Sequence, residues 1–359
     1  MSMIVSQESF RTLVRTLSHT PEPDAADAWP TRQLTLLADA GGYRWNIPRE
    51  FGGAGTDTCE MLDVYRELAA GSLLTAFILT QRNAACQRIE LSANGAAKSR
   101  LLPALCSGEL FATVGISHLT TSRQHLGSPA VTAVPDPHSN GYRLHGSVPW
   151  ATGANAADLL VTGGTLADGR QLLAAVPTSR NGVRIHAPVA LMGLSSSQTS
   201  IVELENVVVG PDEILHGPIA HVMSSSTGAG TGSLGTSAVA IGTAEGTLRR
   251  FRSEVDRRPE LAEFVEPLEN EALNLTRMLR KSAASGDQAV VQAAEELRRR
   301  ANSLVLRSAQ AWLAATKGAG FIAGHPAERA VRESMFFLVW SCPQQVLAGN
   351  LRELSCGVH

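Results

Sequence analysis

The spacing of apolar and polar residues divides the chain into three parts, and the first part has a helical period. In residues 61–69, apolar side chains recur at intervals of three and four, with charged residues between them. This period places the apolar side chains on one face of an α-helix. A glycine-rich break at 52–55 precedes the segment, and polar residues at 56–58 can cap the helix. The pattern predicts a helical domain over residues 1–112.

The middle part has the pattern of β-strands. Apolar and polar residues alternate at 141–146 and 202–205, and short apolar runs at 159–161 and 172–176 are bounded by Gly, Asp, Pro and Ser. Several short strands separated by turn residues are typical of an antiparallel barrel or sandwich. No ten-residue helical stretch separates the strands, which disfavours a parallel sheet built from βαβ units. The pattern predicts an antiparallel β-barrel or sandwich over residues 113–217.

The last part, residues 218–359, returns to a helical period. The clearest segment is 289–317, in which one face is apolar, and further helical segments cover 237–256 and 261–281. Long helices with few turns between them indicate a helical bundle. An arginine run at 298–300 lies mostly off the apolar face, so we expect it on the solvated surface of its helix. The expected fold class is α+β.

Composition and charge restrict the function. The 31 basic and 33 acidic residues give a net charge of −2, whereas a protein built mainly to hold nucleic acid is usually basic. No apolar run approaches the roughly 20 residues of a membrane span, and the N-terminus lacks the features of a signal peptide. The five cysteines are scattered without a CxxC pair, which disfavours a disulfide framework or a zinc site. We expect a cytoplasmic protein without a membrane span.

The short motifs of other enzyme classes have little support. Residues 230–235 match GxGxxG, but a run of Ser and Thr precedes them where a dinucleotide-binding fold requires a strand. The chain contains no GxSxG and no HExxH, so a serine hydrolase and a metal enzyme are disfavoured. A flexible entry to the following helix explains the glycines better, and we expect no metal site.

Four segments, taken in order, carry a family resemblance. They read GYRWNIPREFGGAG at 42–55, WATGANAAD at 150–158, MGLSSSQTS at 192–200 and GAGFIAGHPAERAVRE at 318–333. In this order the chain resembles the acyl-CoA dehydrogenase family of flavoproteins. The resemblance implies a helical domain, a β-domain and a four-helix bundle. It also implies FAD as cofactor, an acyl-CoA or related thioester as substrate, and a homodimer or homotetramer.

The resemblance implies that residues of the β-domain contact the flavin. The family's Trp-x-Thr/Ser segment lies against the flavin, and Trp150 and Thr152 match it. An indole offers a flat apolar wall, and a hydroxyl can hydrogen-bond a ring edge. An earlier strand of the family ends in Thr-Glu-Pro over the cofactor. Ser117 stands in the place of that Thr, and the Glu-Pro is absent. A tryptophan in the β-core is the alternative interpretation of Trp150.

The resemblance also implies cofactor contacts in the C-terminal part. Family members carry an Arg that reaches the pyrophosphate from a neighbouring subunit, and Arg258 matches it. A guanidinium suits this role because it pairs with phosphate oxygens. The Phe-Gly and Gln that follow in the family are replaced by Leu-Ala at 261–262 and by Glu269. Gly318 and Gly320 match a turn that approaches the cofactor. A surface arginine and a glycine that ends a helix are the alternatives.

The family's catalytic position lacks its carboxylate. The family removes an α-proton with a Glu that follows an Arg-Asp pair, and that position falls on Ser341, between Trp340 and Cys342. Between Phe336 and Asn350 there is no Asp, Glu or His. General base catalysis needs a group whose pKa lies near the working pH, and none of Trp340, Ser341 and Cys342 provides such a group unaided.

Three hypotheses follow. The first is an FAD-dependent acyl-CoA dehydrogenase-like oxidoreductase whose base lies elsewhere. The second is a flavin-dependent monooxygenase on the same fold, which uses O₂ and externally supplied reduced flavin and needs no Glu. In that enzyme an apolar wall near Trp340 would keep water away from the oxygen chemistry. The third is a binding or partner subunit without catalysis.

Overall fold

The computed structural model describes residues 3–120, 127–225, 233–284 and 289–356. Its N-terminal part is helical, as the apolar period predicts. The helices are α1 (Met3–Ser6), α2 (Glu8–His19), α3 (Thr31–Asp39), α4 (Thr58–Gly71), α5 (Leu73–Glu90) and α6 (Gly95–Ser107).

Polar residues cap three of these helices. The Asp57 side chain accepts from the backbone N–H of Glu60 at the start of α4, as the sequence suggests. Ser72 caps α5 by accepting from the backbone of Thr75, and Asn94 caps α6. Because Ser72 immediately follows α4, the chain passes from α4 into α5 through a single residue. The two helices are thereby fixed together at this corner.

The middle part forms one sheet. Its elements are β1 (Ala112–Val114), α7 (Ser117–Thr120), β2 (Val131–Pro135), β3 (Tyr142–Ala151), β4 (Leu159–Thr165), β5 (Gln171–Pro177), β6 (Val183–Ile185), β7 (Ser200–Val209) and β8 (Ile214–Ile219). The strand order is β6-β7-β3-β2-β4-β5-β8, and β1 also pairs with β4. The four strands predicted from alternation or apolar runs are β3, β4, β5 and β7.

The sheet is mixed: most of the described pairings are antiparallel, as the pattern predicts, and two are parallel. β4 runs parallel to β1, with Ala112 opposite Leu159, and parallel to β2, with Thr132 opposite Thr165. The remaining pairings between described strands are antiparallel. Turn residues reveal hairpins, whereas strands joined by long connections can take either direction. The sequence pattern therefore missed the direction of β1 and β2 relative to β4.

Both faces of β4 and β5 are buried. Leu159 and Val161 of β4 face a core that includes side chains of α5 and α6. Leu160 of β4 and Leu172 of β5 face a second core, which is filled by side chains of β2, β3 and β7. The sheet thus folds over this second core as a sandwich does, while the first core joins it to the N-terminal helices.

The C-terminal part is helical. It contains α8 (Val222–Ser225), α9 (Ser233–Val255), α10 (Ala262–Ala284), α11 (Ala289–Gly320), α12 (Pro326–Ser334) and α13 (Gln344–Cys356). The backbone of α11 breaks at Lys317, whose φ is 53°. The GxGxxG match at 230–235 lies largely outside the described residues, since α9 begins at its fourth position.

Helices α9, α10 and α11 pack against one another, and α13 packs on α11. This is the predicted bundle. The expectation of a solvated arginine run is wrong for its first member. Arg299 and Arg300 reach carboxylates at the surface, but Arg298 is buried, with 1% of its surface exposed. The segment after α12 covers Arg298, and the helical period of α11 alone gives no sign of that cover.

One helix crossing is closer than any side chain would allow. An added Cβ at Gly242 in α9 would lie 1.9 Å from the carbonyl oxygen of Arg66 in α4. We expect Gly242→Ala to lower the free energy of unfolding by about 1–3 kcal/mol, because the helices must separate. Urea unfolding would measure the change. Gly235→Ala is the control in the same helix, since an added Cβ there meets nothing within 4 Å and should stabilise the helix. Equal effects at the two glycines would contradict the close crossing.

No described helix is long and apolar enough to cross a membrane. Within the same described ranges, no three His, Cys, Asp or Glu side chains are grouped so that they could hold a metal ion.

Candidate functional site

The end of β3 and the segment after β1 lie side by side. The hydroxyl of Thr113 in β1 donates a hydrogen bond to the carbonyl of Thr152, just beyond β3, at 2.6 Å. Helix α7, which begins at Ser117, packs on β3. The structure therefore brings together the segments that carry Ser117, Trp150 and Thr152. The resemblance assigned these three residues to one cofactor, although more than 30 positions separate the first from the others.

Trp150 is not a residue of the β-core. It lies on β3 with 51% of its surface exposed, while its neighbours Pro149 and Ala151 are buried. The alternative interpretation of Trp150 as core packing is thus wrong. An indole half open to solvent leaves one face for a ligand to cover.

Thr152 belongs to a chain of buried hydroxyl groups. Its Oγ1 lies 3.2 Å from Oγ1 of Thr199, which in turn lies 2.9 Å from Oγ of Ser197. The backbone N–H of Gly153 donates to the Ser197 carbonyl at 2.8 Å. These contacts tie the end of β3 to the segment before β7. The Thr152 hydroxyl therefore has a partner within the chain already.

The Ser117 hydroxyl, by contrast, is buried and has no hydrogen-bond partner among the residues that the structure describes. A buried hydroxyl without a partner costs free energy that a ligand can recover. A flavin ring, which the resemblance implies, needs a flat apolar wall and polar contacts at its edge. The exposed indole of Trp150 and the unpaired hydroxyl of Ser117 fit these two needs.

Aromatic rings surround the position of the family's missing carboxylate. Trp340 stacks on Phe336, with ring centroids 5.0 Å apart and planes 17° apart. Phe77 of α5 meets both rings edge-on, at 4.7 Å from Phe336 and 5.2 Å from Trp340. Ser341 follows with φ of 45°, in the left-handed region. Phe336 precedes α13 in a short 3-10 helix, Met335–Leu338, which extends α12. We call Phe77, Phe336 and Trp340 the aromatic wall.

Sequence reasoning anticipated an apolar wall only at Trp340. Phe336 stands four residues before it, a spacing that could have indicated a stacked pair. Phe77 lies in an apolar run that gave no sign of a role. Helix α5 also packs on β1, so it connects the aromatic wall to the segment that leads to Ser117.

Arg258 is held by its own chain. One guanidinium nitrogen donates to the carbonyl of Ala315 at 2.7 Å, and another pairs with Glu254 at 3.0 Å. Glu269, whose charge is unfavourable near a pyrophosphate, is paired with Arg252. The site assigned to the pyrophosphate therefore contains a neutralised acid and a partly exposed arginine beside the break in α11.

The two glycines after this break differ. A Cβ added at Gly318 would meet nothing within 4 Å, whereas one at Gly320 would lie 1.9 Å from the Thr316 hydroxyl. Gly320 is therefore needed by the fold of this turn. Gly318 is exposed and is not needed for packing within the chain. Phe321 and Ile322, which follow, are also exposed.

Comparison with known proteins agrees with this arrangement. Residues 6–109 match the family model "Acyl-CoA dehydrogenase, N-terminal domain". The butyryl-CoA dehydrogenase of Megasphaera elsdenii superposes with a TM-score of 0.82 at 18% identity, over 99% of this chain and 98% of the other. The chain has the acyl-CoA dehydrogenase fold. Its helical domain, mixed sheet and helical bundle are those of this fold.

Two further similarities concern monooxygenases. The chain is 31% identical to a dibenzothiophene monooxygenase of Rhodococcus qingshengii over 210 residues, which is 56% of this chain and 49% of the relative. The match thus spans about half the length of that relative. The dibenzothiophene monooxygenase TdsC of Paenibacillus sp. A11-2, solved with FMN and indole, superposes with a TM-score of 0.78 at 17% identity, over 97% and 96% of the two chains.

A buried ionic cluster fixes α12, and hence the wall that follows it, in this acyl-CoA dehydrogenase fold. Arg329 of α12 pairs with Glu22 and, at 2.7 Å, with Glu333. Ser72, the cap of α5, donates its hydroxyl to Glu22. Burial is the largest cause that raises the pKa of Glu22 to about 7, and the nearby Glu333 raises it further, against the opposing effect of Arg329.

This cluster predicts a pH dependence of stability. Folded Glu22 keeps its proton up to about pH 7, whereas its ordinary pKa is 4.5, so the folded state binds more protons between these values. Glu22 therefore contributes its full stabilisation to the free energy of unfolding below its ordinary pKa. This stabilisation is lost as the pH rises through the raised pKa. We expect Glu22→Gln to remove this pH-dependent loss, as measured by urea unfolding at pH values between 4.5 and about 7. Asp24→Asn, an exposed change in the same loop, is the control. If the stability of Glu22→Gln depends on pH as that of the parent does, Glu22 is not the group responsible.

Proposed function

We propose that the chain is a flavin-dependent oxidoreductase, and that its reaction is a monooxygenation with reduced flavin and O₂. The observation that carries the choice is the aromatic wall at the family's catalytic position. A dehydrogenase needs a carboxylate there to remove the α-proton of an acyl thioester. Phe77, Phe336 and Trp340 offer no carboxylate, and no Asp, Glu or His stands between Phe336 and Asn350. A monooxygenase instead needs a dry, apolar surface around the reacting atoms.

In the proposed reaction, one atom of O₂ is transferred to the substrate and the other leaves as water. The flavin, when bound, supplies the two electrons, and solvent supplies the two protons. Trp150 would cover one face of the ring, and the Ser117 hydroxyl would donate to its edge. The aromatic wall would exclude water and present flat apolar faces to a planar substrate. The match to dibenzothiophene monooxygenases supports this assignment.

The second candidate is an FAD-dependent acyl-CoA dehydrogenase-like enzyme. The fold favours it, as do the N-terminal family match and the superposition on butyryl-CoA dehydrogenase. It would require a base outside the 336–350 segment. In either case we propose a cytoplasmic homodimer or homotetramer that binds a small molecule. Arg258 would reach the cofactor of a neighbouring subunit, and Gly318 and Gly320 would form a turn whose backbone approaches the cofactor.

The deciding experiment combines a spectrum with two reactions. The purified protein, with FAD or FMN added, should absorb in the blue as flavoproteins do. With externally reduced flavin, air and dibenzothiophene, mass spectrometry should detect a product heavier by one oxygen atom. Anaerobic bleaching by butyryl-CoA, without an oxygenated product, would instead establish the dehydrogenase. A protein that binds neither flavin would leave only the non-catalytic partner subunit.

The unpaired hydroxyl predicts a specific loss of flavin affinity. We expect Ser117→Ala to weaken flavin binding by roughly five- to tenfold, which corresponds to one hydrogen bond of about 1 kcal/mol. Fluorescence titration with FAD and FMN measures this. Ser107→Ala is the control, because its hydroxyl is exposed, donates to the carbonyl of Ala104 and accepts from the backbone N–H of Glu109, both at the end of α6. Undiminished flavin affinity in Ser117→Ala would remove this residue from the site.

A further inference from the structure

Arg298 of α11 carries a buried charge. Only 1% of its surface is exposed, and among the described residues no carboxylate lies within salt-bridge distance of it. Its neighbour Arg299 pairs with Glu296 and Glu353 at the surface. Within the described part of the chain, Arg298 makes one hydrogen bond, from Nη2 to the carbonyl of Trp340 at 2.8 Å, and its Nε has no partner there.

This arrangement costs free energy. Burial lowers the pKa of Arg298 to about 10, so the side chain still carries its charge at neutral pH. A buried charge without a carboxylate beside it is unfavourable, and an apolar side chain of similar length would fill the same volume at lower cost. The benefit of an arginine at this position therefore lies in what it contacts, which is the backbone of the aromatic wall.

A second buried side chain acts on the same segment. Asn302, one turn further along α11, donates to the carbonyl of Phe337 at 3.0 Å and to Oδ1 of Asn350 in α13 at 3.2 Å. The two donors thus reach the carbonyls on either side of Leu338 and Val339. At this point the 3-10 helix ends, so carbonyls lose their helical partners. Ser341, with its positive φ, follows directly.

We propose that Arg298 is a positioning residue for the reaction: together with Asn302 it fixes the backbone from Phe337 to Ser341, and thereby the orientation of the Trp340 ring within the aromatic wall. The link to the reaction rests on the proposed function, whereas the link to the Trp340 ring does not. Arg298 acts through Trp340 and does not touch the substrate. The buried cation is thus a structural support behind the wall.

The test uses the full chain and three variants, with reduced flavin added only for the kinetic readout. Arg298→Met removes both charge and donor, Arg298→Lys keeps the charge and one donor, and Arg299→Met is the matched surface control. The environment of Trp340 is isolated by subtracting the fluorescence and near-UV circular dichroism of each variant's Trp340→Phe counterpart. We expect Arg298→Met to change both Trp340 signals and to increase acrylamide quenching. Arg298→Lys should restore them in part, and Arg299→Met should leave them unchanged.

The kinetic readout uses dibenzothiophene as the probe. A wall displaced by about 1 Å can reduce kcat/KM by up to about 100-fold, and we expect Arg298→Met to act mainly by raising KM. Trp340 signals that match the parent would overturn the proposal, whatever the activity. Altered signals with no oxygenation by any variant or by the parent would refute the proposed function and leave the positioning intact. If Arg298→Met does not fold, Arg298→Lys and Asn302→Ser provide the same readouts, and unchanged Trp340 signals in both would overturn the proposal.

Discussion

Arg66→Met should destabilise the protein by about 3–5 kcal/mol, the usual cost of breaking a buried ion pair from one side. Arg66 of α4 lies 2.6 Å from Glu245 of α9, 2.6 Å from Glu67 and 3.8 Å from Asp63. The substitution would leave Glu245, whose side chain is 15% exposed, with the Thr276 hydroxyl as its remaining hydrogen-bond donor among the described residues. Urea unfolding at neutral pH measures the loss.

The same network supplies the controls. Arg249→Met removes an arginine that is about half exposed and lies 3.7 Å from Glu67, so it should cost at most about 1 kcal/mol. The double variant Arg66→Met/Glu245→Leu should recover most of the lost stability, because it removes both charges. A loss in Arg66→Met no larger than that in Arg249→Met would show that the pair contributes little. The position matters because Gly242 brings α9 against the Arg66 backbone at the same crossing.

Most of the architecture follows from local periods in the sequence. The apolar repeat of 61–69 predicts α4, and Asp57 caps it as its position suggests. Strands β3 and β7 follow from alternation, because a strand with one buried face must alternate. These features depend on neighbours a few residues away. The parallel pairings of β4 do not, and they were missed for that reason.

The burial of Arg298 could not be predicted from its neighbours in the sequence. It stands three and seven residues before Ala301 and Val305, at the edge of the apolar stripe of α11, where a long side chain can point either to solvent or inward. The choice is made by the 335–341 segment, which arrives from more than 30 residues away and covers it. The sequence pattern of α11 alone therefore does not predict that Arg298 is buried. At Trp150 the sequence failed in the other direction. Alternation identifies its strand, but it does not show that the indole is exposed rather than packed in the core.

The candidate site was anticipated by resemblance more than by pattern. Ser117, Trp150 and Thr152 have no common spacing, and tertiary contacts bring them together: the pairing of β1 with β4, the packing of α7 on β3 and the hydrogen bond from Thr113 to Thr152. The missing carboxylate was visible from the sequence, but the rings that surround its position were not. Phe77 comes from α5 and Phe336 from the end of α12, so their contact is a property of the tertiary fold.

Trp340→Ala should uncouple oxygen consumption from product formation. Removal of the indole takes away the ring that stacks on Phe336 and meets Phe77, and it admits water to the wall. Water at the reacting centre promotes release of hydrogen peroxide in place of oxygen transfer. We expect the yield of oxygenated dibenzothiophene per reduced flavin consumed to fall about tenfold, equivalent to about 1.4 kcal/mol of discrimination. Peroxide release should rise by the matching amount.

Val339→Ala is the matched control, because the adjacent Val339 is 73% exposed and lies outside the wall. Its coupling should equal that of the parent, which excludes a general effect of altering this segment. Flavin content, measured in each variant, separates a loss of coupling from a loss of cofactor. If Trp340→Ala keeps the parental coupling with full flavin content, the indole does not exclude water and the case for the monooxygenase is lost. If coupling falls only in Trp340→Ala, the ring at the former carboxylate position protects the oxygen chemistry, and the absence of the carboxylate becomes part of the mechanism.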